Sequence, residues 1–200
     1  MSNPIDFYFD FSSPYGYFGA VEIGKLAEKY GRQVNWHPIL LGPIFKNLGT
    51  NSLVLIPVKG EYSRHDMGRT ARFHNIFFKE PGNFPIGSQV AARAVLWAQE
   101  RHPEKAVNLI LTLYSAYFTE DIDISVPANV LRIAADLGID QGELEAALGT
   151  QEIKDKLRAA TEGAAQKGVF GSPFVIVDGE PFWGFDRYPQ LEAFLKNGKI

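Results

Sequence analysis

Residues 5–18, "IDFYFDFSSPYGYF", contain the pattern from which the fold can be predicted. Apolar residues at positions 5, 7, 9 and 11 alternate with Asp6, Tyr8 and Asp10, and a period of two predicts a β-strand. Pro14 suits the first position of an α-helix, where its missing N–H costs nothing, so Ser13 is predicted to be the N-cap. The stretch therefore predicts a strand that runs directly into a helix.

The segments on either side of this stretch extend the pattern. Residues 15–31 predict a helix that stops at Gly31, and residues 32–41 predict a second strand. Near the other end, residues 172–183 predict two strands joined at Asp178-Gly179, a strong hairpin signal, and residues 186–198 predict a closing helix.

Between these ends, residues 43–62 predict a loop with a short helical piece, and residues 61–168 predict a series of helices. The order predicts an α/β fold in which a β-α-β…β-β-α domain, residues 1–42 and 169–200, is interrupted by an all-helical insertion domain, residues 43–168. A ligand cleft is expected where the insertion folds back on the sheet.

The composition limits the classes of function. The 200 residues carry a net charge of −3, which argues against a nucleic-acid partner. The sequence has no cysteine, which excludes thiol–disulfide exchange by the protein's own thiols. The four histidines show no metal-ligand spacing, so no metal site is expected. With neither a signal peptide nor a long apolar run visible, we expect a cytoplasmic protein without a membrane span.

Ser13 stands where the free N–H groups and the partial positive charge of a helix N-terminus meet. One interpretation is a capping hydroxyl that stabilises the helix by about 1 kcal/mol. The other is an anion site. A thiolate against Ser13 Oγ would gain a charge-assisted hydrogen bond and the helix dipole, which would lower a thiol pKa by about one or two units. The sequence leaves both interpretations open.

Two further turns each have a structural and a ligand-binding interpretation. In "GVFGSPF" (168–174), Pro173 is either a strand-entry proline or a cis proline that presents the backbone of Ser172 to an extended peptide. In "FWGFDR" (182–187), Asp186 is either the N-cap of the last helix or a carboxylate that, with neighbouring N–H groups, holds a zwitterionic amino-acid head.

The motifs "FDFSSPYGY", "GVFGSPF" and "PFWGFDR", in this order and separated by about a hundred residues of helix, resemble those of the 2-hydroxychromene-2-carboxylate isomerase family. That family lies in the DsbA-like branch of the thioredoxin superfamily, close to the kappa-class glutathione transferases. The resemblance covers essentially the whole chain. It implies a thioredoxin-like domain with a helical insertion, glutathione as cofactor in the cleft, and a homodimer.

The resemblance also implies roles for individual residues. Ser13 matches the position of the reactive cysteine in DsbA-like oxidoreductases and would face the glutathione sulfur as the catalytic hydroxyl. The backbone of Ser172, before a cis Pro173, would pair with the cysteinyl unit of glutathione. The γ-glutamyl end would be held by Trp183, Gly184, Phe185 and Asp186. Here Phe185 replaces the polar residue of the family, so a side-chain hydrogen bond to glutathione is expected to be lost.

The implied substrate is a small aromatic carboxylate. Phe45 matches a lysine of the family's substrate pocket, which leaves Lys46 and Lys59 as candidates to bind the substrate carboxylate. Phe84 is expected to line an apolar pocket for the aromatic ring. In the implied reaction, a glutathione thiolate adds to a ring-opened cis enone, the new single bond rotates, and glutathione leaves to give trans-o-hydroxybenzylidenepyruvate. The alternatives are a kappa-like glutathione transferase and a non-catalytic thioredoxin-fold binding module.

Overall fold

A four-stranded β-sheet forms the centre of the computed structural model, which describes residues 3–200. The strands are β1 (Ile5–Phe9), β2 (Val34–Pro38), β3 (Phe174–Val177) and β4 (Glu180–Trp183). They lie in the order β2-β1-β3-β4, with β1 parallel to β2 and antiparallel to β3, and β3 antiparallel to β4. The β-α-β and β-β-α units predicted from the sequence are confirmed, and they share one sheet.

The helices fill the two connections and close the chain. Their bounds are α1 (Pro14–Lys29), α2 (Leu41–Leu48), α3 (Lys59–Phe73), α4 (Gln89–Arg101), α5 (Pro103–Glu120), α6 (Pro127–Asp136), α7 (Gln141–Leu148), α8 (Gln151–Gln166) and α9 (Tyr188–Asn197). Short 3-10 helices span Leu53–Leu55 and Phe185–Arg187.

The pattern of residues 62–78 predicts a single helix, but the last five of these residues are not helical. Helix α3 ends at Phe73, and the chain then runs without a helix to residue 88. Asn75 adopts a positive φ of 55°, which stops a right-handed helix, and the following residues 81–85 include two prolines and a glycine. The apolar run at 76–78 that suggested a longer helix is divided between a buried Ile76 and an exposed Phe77.

Both faces of β1 are covered, although its sequence alternates. Phe7 and Phe9 pack into the main core, as the alternation predicts. Tyr8, on the opposite face, is only 3% exposed because a second apolar cluster covers it. That cluster includes Ile44 from α2 and Ala164 from α8. The sheet is therefore sandwiched between helices.

One apolar cluster joins the sheet to the helical segment. Phe9 and Phe11 contact the ring of Tyr114 on α5, with centroids 5.9 and 4.7 Å apart. The same cluster extends through α4, α5, α6 and α7. Where the chain divides into domains, at residues 42 and 169, stays a prediction. None of the helices within residues 3–200 has the length and apolar character needed to cross a membrane.

Candidate functional site

Two glycines let helix α1 approach the loop before β3. The Ser172–Pro173 peptide bond in that loop is cis, one of the two alternatives left open by the sequence. A Cβ on Gly16 would lie 2.5 Å from Ser172 Oγ, and a Cβ on Gly19 would lie 3.0 Å from the Pro173 ring and 2.7 Å from Tyr188 Oη on α9. Since real Cβ atoms do not come so close, the three-residue spacing in "GYFG" places the start of α1 against this loop.

Ser13 is the N-cap of α1, as predicted. Its Oγ accepts a hydrogen bond from the Gly16 amide at 3.0 Å, and its hydroxyl donates to the carbonyl of Ser172 at 2.8 Å. Only 8% of the residue is exposed. The hydroxyl proton is therefore already directed at the loop that carries the cis proline, and a bound anion would have to take the place of the Ser172 carbonyl as its acceptor.

Backbone donors beside Ser13 remain available to a ligand. The amide of Tyr15, in the first turn of α1, has no hydrogen-bond acceptor within residues 3–200, and neither has the amide of Ser172. Unpaired amides at a helix N-terminus, together with the helix dipole, favour negative charge. The corner can thus offer an anion one hydroxyl and at least one amide.

The buried carboxylate of Asp10 stabilises this corner through hydrogen bonds, a role that was not predicted from the sequence. The residue is 4% exposed, and its carboxylate accepts hydrogen bonds from the Leu41 amide at 2.7 Å, the Ser12 amide at 2.8 Å and the Ser88 hydroxyl at 2.8 Å. Burial raises the pKa of Asp10, against the effect of these hydrogen bonds. The alternation predicts only that Asp10 lies on the face opposite Phe9. No local signal reveals that three segments donate to it.

The backbone of Asp10 also ties the corner to the cis-proline loop. Its amide donates to Ser172 Oγ at 3.0 Å, and its carbonyl accepts from the Ser13 amide at 2.9 Å and from the Tyr114 hydroxyl at 3.0 Å. We call the group of Asp10, Ser13 and Ser172 the serine corner. Its polar groups are held mainly by backbone partners, which fixes their positions.

A cavity of about 850 Å³ opens onto the serine corner. This volume lies near the upper end of the roughly 300–1,000 Å³ typical of small-molecule sites. The predicted site residues that line the cavity are Ser13, Phe45, Phe84, Ser172, Trp183, Gly184, Phe185 and Asp186. Pro173 is buried next to this wall. Lys46 and Lys59 are exposed and do not line the cavity, and its basic side chains are instead Arg69, His74 and Arg187.

The segment after β4 differs from its predicted structure. Asp186 lies in the 3-10 helix Phe185–Arg187, and α9 begins two residues later with Arg187 as its N-cap, so of the two interpretations of Asp186 the N-cap is wrong. In this 3-10 helix the exposed Asp186 carboxylate lies 3.6 Å from the guanidinium of Arg187. The side chain of Phe185 packs into the core against Phe18 and His74, and it is 3% exposed.

A polar network lines the cavity along α3. The Tyr15 hydroxyl donates to Asp66 at 2.5 Å, Asp66 pairs with Arg69, and Arg69 also donates to the Tyr62 hydroxyl at 3.0 Å. Burial opposes ionisation of Asp66, but the hydrogen bonds from Tyr15 and Arg69 outweigh it and hold the pKa of Asp66 below its ordinary value. Burial and the Asp66 carboxylate raise the pKa of Tyr15. We call Tyr15 of α1 together with Asp66 and Arg69 of α3 the α3 wall; Tyr62 belongs to the network but does not line the cavity.

No role was predicted from the sequence for Asp66 or Arg69, which stand in the stretch "RHDMGRTAR" (64–72). Their three-residue spacing is the signal that puts them on one side of a helix. Which side faces the cavity depends on how α3 packs, so the sequence alone could not distinguish Arg69 from its neighbour Arg72.

Comparison with known proteins places this arrangement among characterised families. The family model of the DSBA-like thioredoxin domain matches residues 4–196. The chain is 30% identical to a 2-hydroxychromene-2-carboxylate isomerase of Sphingobium xenophagum, over 98% of this chain and 99% of that protein. It is 27% identical to glutathione S-transferase kappa 1 of Homo sapiens, over 98% and 92% of the two chains. A solved structure of 2-hydroxychromene-2-carboxylate isomerase superposes with a TM-score of 0.87 at 26% identity, covering 96% of this chain and 94% of that one.

Proposed function

Because this chain belongs to the DSBA-like thioredoxin domain family, and within it to the 2-hydroxychromene-2-carboxylate isomerase family of enzymes, we propose that it is a glutathione-dependent isomerase. Its proposed substrate is 2-hydroxychromene-2-carboxylate or a related intermediate of aromatic breakdown. The proposed product is the trans isomer of the ring-opened acid.

The observation that supports this proposal best is the geometry of the serine corner. A buried hydroxyl, Ser13, and an unpaired amide, Tyr15, meet at the N-terminus of α1 on the edge of a ligand-sized cavity. The sequence has no cysteine, so this anion site has no thiolate of its own to stabilise. A thiolate supplied by a small molecule fits both facts.

The residues around the corner fit glutathione in particular. The unpaired Ser172 amide and the adjacent carbonyl are backbone groups to which an extended peptide can hydrogen-bond. The exposed Asp186 carboxylate can bind an α-ammonium group, and Arg187 beside it can bind an α-carboxylate. Since Phe185 is turned into the core, only its backbone is left to contact the peptide.

Glutathione held at the serine corner would supply the thiolate nucleophile for the isomerisation. Ser13 donates a hydrogen bond to the sulfur after turning away from the Ser172 carbonyl, and the Tyr15 amide adds the field of the helix N-terminus. The apolar rings of Phe45, Phe73 and Phe84 line the cavity and would pack against the aromatic substrate.

Replacing Ser13 by Ala tests the proposal. The pKa of the bound glutathione thiol, followed by the ultraviolet absorbance of its thiolate, should rise by about one or two units, and turnover at neutral pH should fall by about 10- to 100-fold. Thr150→Ala is the matched control, because Thr150 caps α8 away from the cavity and its loss costs a similar stability of about 1 kcal/mol. Thr150→Ala should leave the thiol pKa unchanged.

A thermal-shift titration with glutathione decides between the candidate functions. If millimolar glutathione does not stabilise the parent protein, the isomerase proposal is wrong and the non-catalytic binding module takes its place.

The second candidate function, a kappa-like glutathione transferase, is favoured by the 27% identity to the human kappa enzyme. It would use the same site, but its product would retain the glutathionyl group, which mass spectrometry detects. The cytoplasmic location and the homodimer remain predictions.

A further inference from the structure

Arg69 is a cation on the cavity for which the proposed thiol chemistry has no use. Arg69 lies on α3, and 48% of its side chain is exposed. It pairs with Asp66, which accepts a hydrogen bond from Tyr15 in the first turn of α1. The lysines predicted to bind the substrate carboxylate, Lys46 and Lys59, do not line the cavity. The role assigned to them therefore needs another residue.

The bonds of Arg69 leave it able to take a ligand. Both of its hydrogen bonds, to Asp66 and to Tyr62, come from one nitrogen, Nη2. Within residues 3–200, the donors at Nη1 and Nε have no acceptor. A guanidinium carries five N–H donors in a planar fork that matches the two oxygens of a carboxylate. Arg69 can thus bind a carboxylate without rearrangement of the backbone.

The surroundings of Arg69 favour an aromatic acid over the carboxylates of glutathione. Phe73, one helical turn further along α3, lines the same cavity as Arg69, and so do the rings of Phe45 and Phe84. The peptide-binding groups of the proposed function, at Ser172 and Asp186, belong to other elements and have their own cation in Arg187. Arg69 is therefore available to a second substrate.

Asp66 competes for the same guanidinium. It is 25% exposed and lies in the cavity wall, where a bound carboxylate would share Arg69 with it and be repelled by its charge. Removing the charge of Asp66 should therefore act in the opposite direction to removing the charge of Arg69. A purely structural role for this ion pair would weaken binding in both cases.

We infer that Arg69 determines the specificity of this cavity for aromatic substrates that carry a carboxylate, and that Asp66 moderates their affinity by competing for the Arg69 guanidinium. This inference rests on the proposed function for the identity of the substrate class. It does not depend on glutathione being the thiol.

Calorimetric titration with two probes, salicylate and its neutral analogue salicylamide, tests the inference without requiring activity. In Arg69→Met, the dissociation constant of salicylate should rise by about 10- to 100-fold and that of salicylamide by less than about twofold. In Asp66→Asn, salicylate should bind several-fold more tightly. Arg72→Met is the control, because it removes the same charge from an exposed position of the same helix that does not line the cavity; both probes should bind it as they bind the parent.

Equal salicylate affinity in the parent and Arg69→Met, or no salicylate binding by the parent, would overturn the inference. A thermal-shift titration of Arg69→Met with glutathione separates it from the proposed function. If the variant no longer binds glutathione but still binds salicylate, Arg69 binds the peptide and the inference is wrong. If the parent does not bind glutathione but the salicylate pattern holds, the proposed function fails and the inference stands.

Discussion

The serine corner and the α3 wall lie on the same cavity but hold their polar groups in different ways. In the corner, Ser13 and Ser172 are each 8% exposed and bond mainly to the backbone. In the wall, Asp66 and Arg69 bond to other side chains and are partly exposed. Buried bonds to the backbone are costly to break, whereas exposed side-chain pairs exchange partners at little cost. The polar groups of the corner are thus held in fixed positions, whereas those of the wall can exchange partners.

The largest effect that this comparison predicts is for Asp10→Ala in the corner. The variant leaves three donors, the amides of Leu41 and Ser12 and the hydroxyl of Ser88, without their acceptor. We expect the free energy of unfolding in urea to fall by about 3–5 kcal/mol, since each buried unsatisfied donor costs about 1–3 kcal/mol. Asp66→Ala in the wall should cost less than about 1 kcal/mol. Equal losses at the two positions would mean that the corner is no more rigid than the wall.

A smaller effect is expected at the glycine that brings the two halves of the corner together. The Cβ of Gly16→Ala would meet Ser172 Oγ at 2.5 Å and Tyr114 Oη at 2.8 Å, so the variant should lose about 1–3 kcal/mol of stability. Gly24→Ala is the matched control on the same helix, because a Cβ there meets no atom within 4 Å. It should gain about 0.5–1 kcal/mol from the lower chain entropy of alanine. The same sign for both variants would contradict the close approach at Gly16.

Removing one tyrosine hydroxyl from each region sharpens the comparison further. Tyr114→Phe deletes a buried donor to the Asp10 carbonyl and should cost about 1 kcal/mol of stability. Tyr15→Phe deletes the donor to Asp66, but water can reach this partly exposed carboxylate, so the loss should be about 0.5 kcal/mol or less. Urea unfolding of both variants measures the difference. A larger loss for Tyr15→Phe would reverse the assignment of rigid and adaptable regions.

The pH dependence of Asp10→Asn is the most gradual effect. Burial raises the pKa of Asp10 above its ordinary value of 3.8, so the folded protein holds this proton more tightly than the unfolded chain. The resulting stability is complete below pH 3.8 and is lost as pH rises through the folded-state pKa. The stability of the parent relative to the Asn variant should therefore fall with rising pH, by at most about 1.4 kcal/mol per pH unit, and then level off. A difference that grows with pH would show that Asp10 is stabilised as the anion.

Much of the fold could be predicted from the sequence because its signals are local. The alternation at residues 5–11, the break at Ser13-Pro14 and the Asp178-Gly179 turn each act within a few residues, and all three are confirmed. Asp178 and Gly179 both have positive φ values, 51° and 86°, which is the turn geometry that this dipeptide favours in hairpins. The end of α3 could not be predicted, because the apolar run after Phe73 is compatible with either a helix or an extended segment.

The site was predictable only in part. Contacts between residues close in the chain could be predicted, and contacts between distant residues could not. Ser13 could be identified because a cap bonds to an amide three residues away. The Asp10 contacts to Leu41 and Ser88 span 31 and 78 residues, and no local pattern records them. Lys46 and Lys59 carry the charge expected for a carboxylate site, but packing turns them away from the cavity and turns Arg69 toward it.

The sequence by itself determined that a strand meets a helix at Ser13-Pro14, that a hairpin follows a second Ser-Pro pair, and that no thiol of this chain takes part in chemistry. Only the tertiary structure decided which residues share the cavity: the Ser13 hydroxyl against the Ser172 carbonyl, Asp10 beneath them, and Arg69 rather than the predicted lysines. The reason is physical. Caps and turns are settled by bonds between near neighbours, whereas a cavity forms where distant segments pack, and its composition depends on the orientation of whole helices.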